Sequence, residues 1–78
     1  MDLQRAASAL VDYLAMEWPD FRLLEIDAHD RFYGVTWIVT LEFGYRWRAT
    51  GIGSDHMHAA GAALRALTQY RRQQAETI

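Results

Sequence analysis

Three histidines could bind a metal ion or act as general bases, because imidazole serves both purposes. His56 and His58 follow Asp55 directly, and His29 lies in a polar stretch earlier in the chain. Residues two apart on a helix point to nearly opposite sides, so His56 and His58 cannot hold one ion together. Asp55 and His58, three apart, share a helical face, which predicts a surface ion pair. Because the chain also has no cysteine, no metal or other cofactor is predicted.

The segment Gly51-Ile52-Gly53-Ser54 has the outline of a turn that holds an anion at a helix start. It lacks the lysine and the length of a P-loop, and a dinucleotide-binding turn needs a third glycine. The same residues suit a tight connection between a strand and a helix. We therefore predict such a connection, with Ser54 as the N-cap of the helix.

Hydrolysis by covalent catalysis would need a nucleophile, a base and a carboxylate that converge. Ser54 is assigned to the cap, Ser8 falls on the polar side of a helix, and no nucleophile elbow is present. Glu25 and Asp27 share one face of a strand, but no apolar surroundings would bury them. The sequence therefore predicts a protein that is not an enzyme.

Aromatic residues make up 13% of this 78-residue chain, more than a core of its size can enclose. Those at turns and helix ends, beside arginines, have the composition of a protein-binding hot spot. An isoleucine that lies between two threonines on the solvent side of a strand supports the same interpretation. The predicted partner-binding residues are Trp18, Phe32, Tyr33, Ile38, Tyr45, Arg46 and Arg48.

The elements that position these side chains follow in the order α-β-β-β-α. Apolar residues recur at helical spacing over 2–18, where Asp2 caps the helix and Pro19 ends it. Alternation and β-branched or aromatic residues predict strands at 21–28, 35–43 and 46–50. A polar turn is predicted at 29–34, and an alanine-rich helix follows Ser54.

The second hairpin has a predictable register. A three-residue loop at 43–45 sets Glu42 opposite Arg46 and Leu41 opposite Trp47, so that charge faces charge and apolar faces apolar. The large apolar residues at the odd positions of the middle strand are predicted to face the core, and they are Val35, Trp37, Val39, Leu41 and Phe43. We expect one α+β domain over 1–78, with a three-stranded antiparallel sheet and two helices packed on one face.

The order of elements and the residues at their joints resemble a double-stranded RNA-binding domain. The likeness runs through Pro19-Asp20-Phe21, the strand at 32–43, Thr50-Gly51-Ile52-Gly53-Ser54 and Ala62-Ala63-Leu64-Arg65-Ala66-Leu67. It consists of packing residues and therefore implies a fold more than a function.

The family's RNA-binding residues are not matched. Its paired lysines follow the capping serine, where this chain has Asp55 and His56, and an aspartate repels phosphate. Its Gly-Pro-x-His-like loop is matched only by Ala28-His29-Asp30. The chain is also similar, at Gly51, Gly53 and the acidic, alanine-rich helix that follows, to the dimer-forming regulatory domain of 2-isopropylmalate synthases.

Charge is unevenly distributed. Residues 1–30 carry seven acids and two arginines, whereas residues 31–78 carry six arginines and three acids, for a net charge of −2. Every cationic residue is an arginine, and alanine is also abundant. This composition indicates GC-rich coding and hence a bacterium or its phage. No apolar stretch is long enough for a signal peptide or a membrane span, so a cytoplasmic location is expected.

The leading hypothesis is a small non-catalytic protein-binding module. It would act as an inhibitor or adaptor, or as a homodimerising regulatory protein, and a phage-encoded inhibitor of host defence of the anti-CRISPR kind fits this description. The partner is another protein or a second copy, with no membrane involved. The alternative is nucleic-acid binding, including double-stranded RNA, by arginines gathered on one side. Those arginines are Arg31, Arg46, Arg48, Arg65, Arg71 and Arg72.

Overall fold

The computed structural model describes residues 2–44 and 46–76, with side chains up to Tyr70 together with that of Arg72. Its helices are α1 (Leu3–Glu17) and α2 (His56–Glu76), and its strands are β1 (Phe21–Arg31), β2 (Gly34–Phe43) and β3 (Trp47–Gly53). The strands form one antiparallel sheet in the order β1-β2-β3. The predicted α+β class and α-β-β-β-α order are confirmed, and the topology is compatible with a double-stranded-RNA-binding-domain-like fold.

Helix α1 begins and ends where local chemistry dictates. Asp2 is its N-cap and accepts a hydrogen bond from the backbone N–H of Arg5 at 3.0 Å. Apolar residues four apart then form the buried stripe, which contains Ala6, Leu10 and Leu14. At the C-terminal end, the N–H of Trp18 donates to the carbonyl of Leu14, one residue before proline breaks the helical pattern.

Both helices contribute to one core, on the face of the sheet that carries the odd residues of β2. Trp37 is 9% exposed, and Val39 and Leu41 are fully buried. Leu10 of α1 and Leu67 of α2 belong to the same cluster. The remaining odd residues of β2, Val35 and Phe43, are partly buried against it, so the predicted inward face is confirmed. The other face of the sheet, the open face, is covered by neither helix.

Two glycines of β3 allow α2 to lie against the strand backbone. A Cβ on Gly51 would collide with the carbonyl oxygen of Ala59 and lie 2.5 Å from the backbone nitrogen of Ala63. A Cβ on Gly53 would lie 2.6 Å from the nitrogen of Ala59. Neither glycine has a positive φ. The Gly-x-Gly segment is therefore part of the strand, where its role is close packing.

The predicted register of the second hairpin is wrong by one position in each strand. Phe43 pairs with Trp47, and Glu42 pairs with Arg48 instead of Arg46. Three residues still separate the paired strands, but they are 44–46, and Gly44 takes the left-handed φ of +60°. This register keeps charge opposite charge and adds a stack between Phe43 and Trp47, whose ring centroids are 5.7 Å apart.

Two further expectations are corrected. Strand β1 continues to Arg31, through part of the predicted polar turn, because 29–31 pair with 34–36 of β2. Helix α2 begins at His56 and its cap is Asp55, not Ser54, since the Asp55 carboxylate accepts from the backbone N–H of His58 at 2.8 Å. Within the described part of the chain, no helix is long and apolar enough to cross a membrane.

Candidate protein-binding surfaces

The structure distributes the predicted partner-binding residues over separate regions. Ile38 and Arg48 lie on the open face of the sheet, and Arg46 lies in the β2–β3 connection. Phe32 and Tyr33 form the β1–β2 turn, and Trp18 follows the end of α1. Tyr45 lies outside the described residues. The predicted residues therefore lie on three separate candidate surfaces.

The open face carries an apolar pair where β2 meets β3. Ile38 of β2 lies opposite Ile52 of β3, and Ile52 is 64% exposed. Beside them, the hydroxyl oxygens of Thr40 and Thr50 are 2.9 Å apart and hydrogen-bonded. Sequence reasoning missed Ile52, although the correct register would have placed it beside Ile38. A regular sheet therefore holds the half-buried Ile38 and the exposed Ile52 side by side, and the neighbouring threonine hydroxyls already bond each other.

One end of the open face is fixed by a buried acid between two arginines. Glu42 is only 3% exposed, and its carboxylate accepts hydrogen bonds from Arg22 at 2.7 Å and from Arg48 at 3.2 Å. The hydrogen bond from Arg22 is the main cause that lowers the pKa of Glu42 below its ordinary value, with a smaller contribution from Arg48. The predicted partner-binding residue Arg48 thus also holds this cluster together.

The β1–β2 turn presents two aromatic rings to solvent. Phe32 is fully exposed and Tyr33 is 85% exposed. Gly34 follows with a φ of +135°, a conformation that side-chain-bearing residues rarely adopt. Exposed aromatics at a hairpin tip can insert into a partner's pocket, which is the role that the sequence predicts for them.

The third surface is a groove of about 380 Å³ between Trp18 and α2. Trp18 is 37% exposed and meets Phe21 edge to face, with ring centroids 5.5 Å apart. Its indole N–H donates to the hydroxyl of Tyr13 at 3.4 Å. On the other side the groove is lined by α2, including Gly61 and Leu64.

The arginines of the nucleic-acid alternative lie on both layers of the molecule. Arg48 is on the open sheet face, whereas Arg65 and Arg72 line the groove on α2, which covers the opposite face. Arg31 ends β1, and Arg46 lies 5.4 Å from the ring centre of Trp47. The side chain of Arg71 lies outside the described part of the structure.

The histidines lie in separate environments. The Nδ1 atom of His58 is 2.8 Å from a carboxylate oxygen of Asp55, as the predicted ion pair requires. The backbone hydrogen bond from His58 is the main cause that lowers the pKa of Asp55. His56 packs against Trp37, and His29 lies 3.1 Å from Asp27. Among the side chains that the structure describes, no group of three potential metal ligands comes together.

Comparison of the chain with protein-family models, curated proteins and solved structures gives no match in any of the three.

Proposed function

We propose that the chain is a non-catalytic protein-binding module whose main interface is the open face of the sheet. The observation that supports this most is the cross-strand pair of half-buried Ile38 and exposed Ile52, on a sheet face that neither helix covers. The outward face of an antiparallel sheet is normally polar. A cross-strand pair of branched aliphatic residues there has the character of an interface centre, and the nearby Thr40–Thr50 bond and the Glu42 cluster supply a polar rim.

This face can bind another protein or a second copy of the chain, since a closed symmetric dimer needs only one self-complementary patch. An inhibitor or adaptor role suits a small domain that offers a surface and a rigid core. Inhibition of a bacterial defence complex by a phage protein is one form of that role.

The test uses two surface variants matched in chemistry. Ile52→Lys places a charge in the aliphatic pair of the open face, whereas Val11→Lys changes a 52% exposed residue on α1, in the other layer. When immobilised, the wild-type chain is expected to capture a specific partner from bacterial lysate. Alternatively, the free chain is expected to dimerise in sedimentation equilibrium. Ile52→Lys should abolish that interaction and Val11→Lys should preserve it. If the wild type neither captures a partner nor dimerises, or if both variants retain the interaction, the proposal is wrong.

Nucleic-acid binding is a second candidate, supported by the fold topology and by the two arginines on one side of α2. Against it, the Asp55 carboxylate caps the start of α2, the position from which the resembled family reaches phosphate. An electrophoretic shift of duplex RNA or DNA that weakens strongly between two salt concentrations is its expected signature. Absence of a shift, or a shift insensitive to salt, excludes it.

A further inference from the structure

We propose that the groove between Trp18 and α2 binds an amphipathic helix of a partner protein, with acidic residues along one side of that helix. The inference rests on the proposed protein-binding function but assigns it a second site, on the opposite layer from the open sheet face. The expected ligand is a helix that carries carboxylates. A second copy of the chain and a nucleic acid are alternative occupants that the experiment separates.

The wall of the groove is fixed before any ligand arrives. Trp18 is held by its edge-to-face contact with Phe21 and by its hydrogen bond to Tyr13. Its orientation is therefore set by contacts on the protein side, and it still exposes 37% of its surface. A partly exposed and already oriented tryptophan loses little conformational entropy on binding, which is why such residues serve as interface anchors.

The floor of the groove is apolar and leaves room for a side chain. Leu64 contributes the buried part, and Gly61 contributes no side chain at all. The hydroxyl of Thr68 donates to the carbonyl of Leu64 at 2.8 Å, so its hydrogen-bonding capacity is used within the helix. With Gln69 as the other uncharged polar residue of the lining, what remains is a mainly apolar groove along α2, the kind of surface into which a helix lays its apolar stripe.

The rim of the groove is positively charged. Arg65 and Arg72 both line it, and the described residues that do so include no carboxylate. Neither arginine forms an ion pair with any residue in the described part of the chain. Because they are seven residues apart, two helical turns, their Cα atoms are separated by about 10.5 Å along α2. Carboxylates seven residues apart on a helix lying alongside α2 would match this spacing.

A nucleic acid matches this groove less well than an acidic helix. Glu17 precedes Trp18 and Asp20 lies two residues after it, and both are exposed, so they oppose a ligand that carries a phosphate at every nucleotide. A helix can restrict its acids to the side that faces Arg65 and Arg72 and place neutral residues near Trp18. The charge distribution therefore favours the amphipathic helix.

The experiment selects ligands with a display library of helical 16-residue peptides, using the full chain as bait. A Cβ on Gly61 would meet only the end of Arg65, at 3.5 Å, so a larger side chain fits there without disturbing the backbone. Gly61→Gln therefore blocks the groove while keeping the helix, and Gly61→Ala is its matched control. The double variant R65E/R72E reverses the charge of the rim. Circular dichroism checks that every variant is folded.

Enriched peptides are expected to carry apolar residues at i, i+4 and i+7 and Asp or Glu residues seven apart. Their affinity should fall about tenfold or more with Gly61→Gln and stay within about twofold with Gly61→Ala. R65E/R72E should reject them and bind their lysine-substituted versions instead. The indole N–H signal of Trp18, one of three tryptophans, should shift in the NMR spectrum when peptide is added, and Trp18→Phe identifies that signal.

Several results would overturn the inference. These are no enrichment over Gly61→Gln as bait, enriched peptides without paired acids, or binding that Gly61→Gln leaves intact. A wild-type dimer abolished by Gly61→Gln would assign the groove to a second copy, and displacement of bound peptide by an oligonucleotide would assign it to nucleic acid. If Ile52→Lys abolishes partner capture but no groove peptide emerges, the groove inference fails while the open-face function stands.

Discussion

The two faces of the sheet place neighbouring residues of the same strands in different environments. On the covered face, Trp37 and Leu41 are buried by apolar packing against two helices. On the open face, Glu42 is also buried but is bonded to two arginines, while Ile52 stays 64% exposed. Because alternate residues of a strand point to opposite sides, the apolar core residues and the Ile38–Ile52 pair of the proposed binding surface are separate sets. The Ile38–Ile52 pair can therefore be changed without altering the core.

The largest difference between the faces is expected at adjacent positions of β2. Trp37→Ala should lower the free energy of unfolding by about 3–5 kcal/mol, because it removes a large buried ring from the covered face. Thr36→Ala, on the open face, should cost under about 1 kcal/mol. Urea denaturation followed by circular dichroism measures both. Equal losses at the two positions would show that the two faces do not differ as described.

A second test compares the same substitution at two glycines. Gly51→Ala should destabilise the fold by about 1–3 kcal/mol or more, since its Cβ would push α2 away from β3. Gly61→Ala, in the middle of α2 where space is available, should stabilise it by about 0.5–1 kcal/mol. Thermal unfolding of both variants shows whether each substitution lowers or raises the stability of the fold. A stabilising Gly51→Ala would refute the close contact between α2 and β3.

Local patterns predict the covered face well and the open face poorly. Alternation in β2 identifies Trp37 and Val39 as core residues, because burial on one side imposes the period directly. The pairing of Ile52 with Ile38 and the burial of Glu42 depend on which residues lie opposite each other across the sheet. That register is fixed by contacts such as the Phe43–Trp47 stack.

The groove forms by packing between segments that are distant in the chain, which no local sequence pattern predicts. Trp18 is more than 40 residues away in the chain from Gly61, the first α2 residue that lines the groove. The helical pattern of α2 predicts which side is apolar, but the position of Trp18 follows from how α1 packs on the sheet. The tryptophan could therefore be predicted as a binding residue, while its neighbours could not.

The Glu42 cluster predicts an acid-sensitive open face. The pKa of Glu42 is lowered in the folded chain, chiefly by the hydrogen bond from Arg22, so folding favours its charged form. Its contribution to stability is complete above the ordinary value of 4.5 and is lost as the pH falls through the lower, folded value. Glu42→Gln should therefore reduce the loss of stability between neutral and acidic pH, whereas Glu25→Gln, exposed on the same face, should leave it unchanged. Denaturation at a series of pH values measures this difference. Identical profiles of stability against pH for wild type and Glu42→Gln would contradict the role of the cluster.

The smallest expected effect concerns the start of α2, where Asp55 rather than Ser54 satisfies a helical N–H group. Asp55→Ala removes the acceptor for the His58 backbone and should lower the melting temperature by a few degrees, whereas Ser54→Ala should barely change it. Asp55→Asn keeps a capping oxygen and should fall between wild type and Asp55→Ala. Since folding lowers the pKa of Asp55 through the same hydrogen bond, its stabilising effect is lost as the pH falls through the folded value. The difference between wild type and Asp55→Asn should accordingly shrink in acid. A larger loss at Ser54 than at Asp55 would return the cap to the serine and make the N-terminus of α2 one residue longer.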